Sequence, residues 1–245
     1  MANFPIPAPA FDGRSRTVGV GAALDWLRLG WGMFMVNPGL WVAASVIVIV
    51  GFLALFAVWL AGPLLACLLA PVLAAGLLTM CRKASTVGTF DLQDLASGFR
   101  VATTPLVILG LIFMATMVAI NMIVFVLFSG SVAGGLMMPG VTGLGVLLGG
   151  SLLAMLLSSV LIIPLAMALW FAPALVMFNN MPPFEACKAS LNACLKNILP
   201  FLILGLIFFV LSFFAALPVG LGFLVLLPVL SGSAYASYQD VFVAH

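Results

Sequence analysis

The stretch that decides the fold lies at residues 40–61, which read LWVAASVIVIVGFLALFAVWLA. It carries no charged side chain, and about 20 apolar residues are enough for a helix to cross the ~30 Å hydrocarbon layer of a membrane. Gly62-Pro63 follows as a tight turn, and residues 64–80 are apolar again until Arg82 and Lys83 end the run. These residues predict two membrane-spanning helices joined by a short turn outside the cytoplasm.

Two further pairs of apolar segments bring the prediction to six spans. We expect them at residues 105–128, 146–178, 198–217 and 223–238. Residues 129–145 are rich in Gly and Ser and are expected to form an uncharged outer loop. The fold class is therefore expected to be all-α, a polytopic membrane protein with six transmembrane helices in three hairpins.

The fourth apolar run, residues 146–178, is too long for one crossing, because it would reach about 50 Å as a helix at 1.5 Å per residue. Pro164 and Pro173 lie inside it. The helix either kinks and projects into the cytoplasm or breaks near Pro173 into an interfacial piece, with Trp170 at the membrane surface. Two full spans are disfavoured because too few residues remain after Pro164. Whether residues 165–178 form a separate interfacial helix stays open at this point.

Three amphipathic segments are predicted to lie at the cytoplasmic surface. They are residues 20–36, a helix that starts near Thr89, and residues 184–196. Trp26 and Trp31 in the first segment suit the level of the lipid headgroups. All basic residues lie in the N-terminal part or in polar stretches between hairpins, and the positive-inside rule then places both termini in the cytoplasm. These basic residues are Arg14, Arg16, Arg28, Arg82, Lys83, Arg100, Lys188 and Lys196.

The chain is expected to divide into two parts. Residues 1–38 form a cytoplasmic N-terminal arm and the first interfacial helix, and residues 39–245 form the six-helix transmembrane domain. The first 18 residues are rich in Pro and then polar, and we expect poor order there unless they dock. Asp240 and His245 are expected on the cytoplasmic side. The predicted location is the bacterial inner membrane, as a multi-pass protein.

Composition excludes a soluble domain. Hydrophobic residues make up 65% of the chain and charged residues 6%, against roughly 25% charged residues in soluble domains. The net charge of +2 does not indicate a nucleic-acid partner. Cys67, Cys81, Cys187 and Cys194 form no C-x-x-C pair, and we interpret them as packing residues.

The sequence also predicts no catalytic set, metal site or cofactor site. The single histidine is the last residue, and no Walker loop or H-E-x-x-H motif occurs. Asn121 is the most polar side chain deep in a span, where it either bonds to a neighbouring helix or lines a small pore. Candidate contacts to anionic lipid headgroups are Arg28, Arg82, Lys83, Arg100, Lys188 and Lys196.

An internal similarity connects two of the predicted spans. PLVILGLIF at residues 105–113 matches PFLILGLIF at residues 200–208. Each would head a unit made of an amphipathic helix, a proline and a two-helix hairpin. Repeats in membrane proteins often place a site at their interface, but apolar segments also resemble one another by chance, and both interpretations stay open.

Several short motifs resemble those of an uncharacterised family of proteobacterial inner-membrane proteins. They are Trp26-Leu27-Arg28-x-Gly30-Trp31, Asn37-Pro38, Cys81-Arg82, Gly98-Phe99-Arg100, Trp170-Phe-Ala-Pro-Ala-Leu-Val176, Pro182-Pro183-Phe184-x-Ala186 and Tyr235-Ala-Ser-Tyr238-x-Asp240. More distantly, the chain is similar to the membrane domains found beside glycerophosphodiester phosphodiesterases. The resemblance implies a multi-span helical protein and transfers no catalytic residue.

Together these observations favour a protein without enzymatic activity, acting through helix packing as an accessory or assembly subunit of a larger membrane complex. The expected partners are membrane lipids, in particular anionic ones, and another membrane protein or a second copy of the chain, with no nucleic acid. The alternative function is a carrier of lipid or a small solute, with its site near Asn121 and Pro164.

Overall fold

The computed structural model describes residues 13–59 and 61–243, and this part of the chain contains helices and turns without a β-strand. Residues 1–12 of the predicted N-terminal arm and the predicted position of His245 lie outside it. The helices are α1 Ala22–Val36, α2 Pro38–Phe56, α3 Ala61–Thr86, α4 Ser97–Arg100, α5 Thr103–Met137, α6 Gly140–Trp170, α7 Ala172–Asn179, α8 Pro183–Lys196, α9 Ile198–Ala216 and α10 Phe223–Tyr238. A 3₁₀ turn at Leu92–Ala96 precedes α4, and a π-helical turn at Gln239–Val243 continues α10. The expected all-α class is confirmed.

In the described part of the chain, five helical stretches are long and apolar enough to cross a membrane. They are Pro38–Phe56, Ala61–Thr86, Thr103–Met137, Gly140–Asn179 and Ile198–Ala216. The sixth predicted span, α10, has 16 residues, about 24 Å at 1.5 Å per residue and shorter than the ~30 Å hydrocarbon layer. The sixth crossing and the arrangement in three hairpins therefore stay predictions.

The expected outer loop at residues 129–145 is wrong, because α5 continues to Met137 and α6 begins at Gly140. Glycine here allows the two helices to approach closely: a Cβ on Gly150 would lie 2.1 Å from the Cβ of Ser131. Small residues commonly serve this purpose at helix contacts in membranes. The turn itself needs only Gly140, whose φ of 62° is unfavourable for other residues.

The α5–α6 hairpin is much longer than its neighbours. α5 has 35 residues and α6 has 31, about 52 and 46 Å, whereas the 19 residues of α9 reach about 28 Å. After α3 the chain runs back along that helix. Leu95 of the 3₁₀ turn contacts Gly76 of α3, and Gly110 of α5 contacts Leu68 of α3. Counting from Gly110 puts the start of α3 level with about Met117, so roughly 20 residues of α5, about 30 Å of helix, lie beyond it.

The apolar run at residues 146–178 breaks near Pro173, as in the second of the two arrangements that the sequence allowed. α6 ends at Trp170 and α7 begins at Ala172, with Pro173 in its first turn, where a missing N–H costs nothing. Pro164, in contrast, lies inside the continuous α6. Ala172 to Val176 are all buried in the bundle, and a position of this piece at the membrane interface stays a prediction.

The three predicted amphipathic segments differ in how well they match the structure. α8 matches the prediction at residues 184–196, and the segment expected from Thr89 is reduced to the 3₁₀ turn and the four-residue α4. The prediction that Trp26 lies among lipid headgroups is wrong, because its side chain is 1% exposed. α1 packs against α10 instead, where a Cβ on Gly30 would lie 2.6 Å from the Val229 carbonyl oxygen. Trp31 is half exposed.

The largest buried side chains gather where the two ends of the described chain meet. Arg16 N donates a hydrogen bond to the Val241 carbonyl oxygen at 3.0 Å, so residues 13–18 and 239–243 lie side by side. We call this the terminal end of the bundle. Its core includes Trp26, Phe171, Tyr235 and Phe242, each at most 2% exposed. The N-terminal arm is therefore docked over residues 13–18.

Candidate functional site

Asp240 is the centre of a polar cluster at the terminal end. Its carboxylate forms an ion pair with the Arg16 guanidinium, and its Oδ2 accepts a hydrogen bond from Trp26 Nε1 at 2.9 Å. Arg16 Nε also donates to the Asp240 carbonyl oxygen at 2.5 Å. One carboxylate thus connects the N-terminal segment, α1 and the C-terminal turn.

Asn197 lies between α8 and α9, and its side chain binds the main chain of the N-terminal segment. Its side chain is buried, with the residue 2% exposed. Oδ1 accepts from Val18 N at 2.8 Å, and Nδ2 donates to the Arg16 carbonyl oxygen at 3.0 Å and to the Ala193 carbonyl oxygen at 2.9 Å. The amide therefore pairs with the backbone of residues 16 and 18 as a neighbouring strand would.

Aromatic rings extend this cluster across the bundle. The Arg82 guanidinium carbon lies 5.1 Å from the centroid of the Phe178 ring, within cation–π range. The Tyr238 hydroxyl donates to Asn179 Oδ1 at 2.6 Å. Successive ring contacts, with centroids 5.2 to 6.1 Å apart, join Tyr235, Phe178, Tyr238, Phe242, Phe171, Phe201 and Trp26. These rings pack beneath the polar groups, and we call them the aromatic floor.

Two adjoining cavities open beside Asp240. One, of about 620 Å³, is lined by Asp25, Trp26, Tyr235 and Asp240 among others. The other, of about 400 Å³, is lined by residues 16–19 and 21–22 together with Asp25 and Asp240. Both carboxylates line both cavities, so Asp25 and Asp240 lie between them.

The structure does not collect the six predicted headgroup contacts into one site. Lys83 Nζ is paired with Asp94 Oδ1 at 2.6 Å, and Arg28 is 3.6 Å from Asp25 Oδ1. Lys196 Nζ donates to the Ser15 carbonyl oxygen at 3.5 Å. Arg82 faces Phe178, as described above. Arg100 and Lys188 are exposed and form no ion pair within residues 13–59 and 61–243.

Asn121 lies on α5 in a cavity of about 520 Å³ between α3 and α5. Its Nδ2 donates to the Met117 carbonyl oxygen of its own helix at 2.8 Å. The predicted bond to a neighbouring helix is therefore not formed within the described chain. The side chain is exposed on the outside of the bundle, and Pro164 does not line this cavity.

Three apolar cavities follow one another along the hairpin. The Asn121 cavity shares Met117 with a second, of about 290 Å³, which also contains Leu165 and Ala166. Ala166 in turn belongs to a third cavity of about 440 Å³ between α6 and α9, lined by Trp170, Phe201 and Phe208 among others. Pro164 lines none of these three cavities, although Ile163 and Leu165 beside it line two of them, and a carrier site near Asn121 and Pro164 stays a prediction.

The cysteines of α8 are free thiols that are at least partly buried. No group of three His, Cys, Asp or Glu side chains that could hold a metal ion occurs among the described residues. Burial raises the pKa of the Cys194 thiol to about 12 and also raises the pKa of Cys187. Cys194 Sγ donates to the Met167 carbonyl oxygen at 3.5 Å, which is a packing contact.

Sequence reasoning left Arg16, Asn197 and Asp240 out of the candidate site. Asn197 and Asp240 are polar residues at the ends of helices, Arg16 lies ahead of α1, and Asp240 follows the last apolar run without a nearby basic residue. That isolated carboxylate was the one available signal. Its partner could not be identified, because Arg16 lies at the other end of the chain.

Comparison with known proteins finds one informative relative. The chain is 31% identical over 225 residues to a Burkholderia thailandensis protein described as a probable inner membrane protein, covering 86% of this chain and 79% of the relative. No family model matches the chain. No solved structure matches it either. The distant similarity to the membrane domains of glycerophosphodiester phosphodiesterases stays an expectation. With this identity and coverage, the chain belongs to the same family of inner-membrane proteins as its Burkholderia relative.

Proposed function

We propose that this protein is a non-enzymatic accessory or assembly subunit of the bacterial inner membrane, and that it docks against another membrane protein through its α5–α6 hairpin. The proposal rests on one observation: the hairpin is far longer than its neighbours, carries no charge and leaves most of its surface unpacked. Only 6% of the most apolar window of each of its two spans is buried within the chain.

The outer half of the hairpin is difficult to cover with lipid alone. Leu136, Met137 and Val141 at its tip are 79–87% exposed, and roughly 20 residues of α5 extend past the start of α3. Hydrocarbon about 30 Å thick covers a helix of about 20 residues. The remaining apolar surface needs either a strong tilt of the helices or a protein partner.

One face of α6 suits close contact with a partner helix. A Cβ on Gly145 or Gly149 would meet nothing within 4 Å, and the four-residue spacing puts both glycines on the same face. Glycines spaced in this way let helix backbones approach in membranes. This face is opposite to the one that packs on α5, which uses Gly143 and Gly150.

A six-span arrangement with both termini in the cytoplasm is part of the proposal. Residues 16 and 241 are hydrogen-bonded, and ends on the same side of a membrane require an even number of crossings. With the π-helical turn, α10 extends over residues 223–243, about 30 Å of helix. The cations Arg100 and Lys188 would then face anionic headgroups, each gaining about 1 kcal/mol.

The docking proposal is tested by blocking the open face of α6. The double variant Gly145→Leu, Gly149→Leu fills it without entering the α5 contact, and we expect a stoichiometric partner to be lost from the complex isolated in mild detergent. Gly51→Leu is the matched control, since Gly51 on α2 also has open space around it. Native mass spectrometry of wild type as a monomer with lipid only, with no protein partner, would contradict the proposal.

The carrier remains the second candidate, favoured by the row of cavities along the hairpin. These cavities are lined almost wholly by apolar side chains, as ligand sites for acyl chains would be. Met117 is shared by the first two cavities, so Met117→Trp should obstruct both. A carrier would lose bound lipid in native mass spectrometry with this variant, whereas an accessory subunit would keep its protein partner.

A further inference from the structure

We infer that the terminal end carries a groove that binds an extended, arginine-bearing peptide segment of another chain, and that residues 13–18 of this protein occupy it as a built-in competitor. The groove lies between the α8–α9 junction and the C-terminal turn. Its two defining groups are the Asn197 amide and the Asp240 carboxylate. The inference does not depend on the hairpin or on its partner.

The first argument is that the groove recognises main-chain groups. Asn197 accepts the N–H of Val18 and donates to the carbonyl of Arg16, while the Val241 carbonyl accepts the N–H of Arg16 at 3.0 Å. These bonds require an extended backbone but do not depend on which side chains it carries, as in other modes of strand addition. A lipid headgroup or a metal ion offers no such alternation of donor and acceptor.

The second argument is that the groove selects arginine at one position. The Asp240 carboxylate pairs with the Arg16 guanidinium, and Arg16 Nε reaches the main-chain carbonyl of the same residue. A lysine ammonium presents no planar fork that matches both acceptors. The preferred segment is therefore arginine, any residue, then a small apolar residue, as in Arg16-Thr17-Val18.

Residues 16–18 can leave while the fully buried core beneath them stays in place. The side chain of Arg16 remains 42% exposed, and Val18 packs against the core as a partly buried side chain. Asp240 would keep its bond to Trp26 Nε1, and the aromatic floor lies beneath. Departure of residues 16–18 would expose the Asn197 amide, which is otherwise 2% exposed, and widen the cavity that these residues line beside Asp25 and Asp240.

The test uses the full-length protein in nanodiscs and a fluorescent peptide with the sequence of residues 13–21, GRSRTVGVG. The tethered segment competes at an effective concentration on the order of millimolar. We therefore expect the Arg16→Glu protein, whose own segment is released, to bind the peptide at least ~10-fold more tightly than wild type. A peptide with the R16E substitution should bind at least ~10-fold more weakly than the unmodified peptide.

Hydrogen exchange shows whether the built-in segment occupies the groove. The Arg16 and Val18 amides should be protected in wild type and exchange rapidly in the Arg16→Glu protein. Arg100→Glu removes a cation from a position outside the groove and should behave as wild type in both measurements. Arg16→Ala, which adds no repulsion, replaces Arg16→Glu if that protein does not fold.

Three results would overturn the inference. The first is rapid exchange of both amides in wild type. The second is an Arg16→Glu protein that binds the peptide no better than wild type does, although its own segment has left the groove. The third is equal affinity for the unmodified and R16E peptides, which would remove Asp240 as the selecting group.

Discussion

At the scale of single residues, Gly30 and Gly32 lie two positions apart on α1 and have opposite surroundings. A Cβ on Gly30 would lie 2.6 Å from the Val229 carbonyl oxygen and 2.8 Å from Ser233 N, whereas one on Gly32 would meet nothing within 4 Å. The atoms that face Gly30 include main-chain atoms of α10, which cannot rotate away. Gly30 therefore sets how closely α1 and α10 pack.

We predict that Gly30→Ala lowers the free energy of unfolding by about 1–3 kcal/mol, the usual cost of overpacking. Gly32→Ala should leave it unchanged or raise it by up to ~1 kcal/mol, because alanine favours a helix over glycine. Titration with sodium dodecyl sulfate, followed by tryptophan fluorescence, measures both. Equal effects of the two substitutions would show that α1 does not pack tightly on α10.

The two cysteines of α8 should differ in reactivity because one is buried more deeply than the other. The thiolate is the reacting form, and burial raises the pKa of Cys194 to about 12. At pH 8 only about 1 in 10,000 of the Cys194 thiols is ionised, and this fraction grows as the pH rises toward 12. We expect maleimide to modify Cys187 first in the folded protein, measured by peptide mass spectrometry, and both cysteines equally after denaturation.

At the scale of elements, the hairpin shows how glycine acts in an apolar helix. The Gly- and Ser-rich composition of residues 129–145 suggested a loop, since these residues favour turns in water. In lipid an unpaired main-chain group costs more than it does in water, so the chain keeps its helical hydrogen bonds. The glycines then serve as contact points between α5 and α6.

The hairpin contact itself can be tested with neighbouring glycines of α6. Gly150→Ala would put a Cβ 2.1 Å from that of Ser131, while Gly149→Ala meets open space. Spin labels at Ser129 and Leu152, both exposed, should move apart in the Gly150→Ala protein and not in the Gly149→Ala protein. An unchanged distance in both would mean that the helices do not touch at Ser131.

At the scale of the whole molecule, the orientation in the membrane is the main prediction. Val141, beside the hairpin turn, is 87% exposed, and Lys188 is exposed on α8. An impermeant thiol reagent should label Val141→Cys in intact cells and Lys188→Cys only after permeabilisation, because the basic residues stay in the cytoplasm. The unmodified chain gives the background from its native cysteines. Labelling in the reverse order would refute the proposed topology.

The helical class and the apolar segments that match the spanning-length helices could be predicted from the sequence alone. Residues 40–61 correspond to α2 only as far as Phe56, and the turn expected at Gly62-Pro63 is wrong because both residues lie in α3. Residues 198–217 correspond to α9, and α8 falls where its charge pattern puts it. The reason is that transfer of a segment from water to hydrocarbon depends on its own residues and little on the rest of the chain. Uncharged length and the position of basic residues were therefore enough.

Tertiary structure alone decided which polar and small residues matter. Asp240 lies 224 residues from Arg16 and 214 from Trp26, so no local pattern could pair them. No local pattern predicted that Trp26 would be buried or that α7 would pack inside the bundle. Hydrogen bonds and close helix contacts depend on positions in space, and those are defined only once the helices have packed.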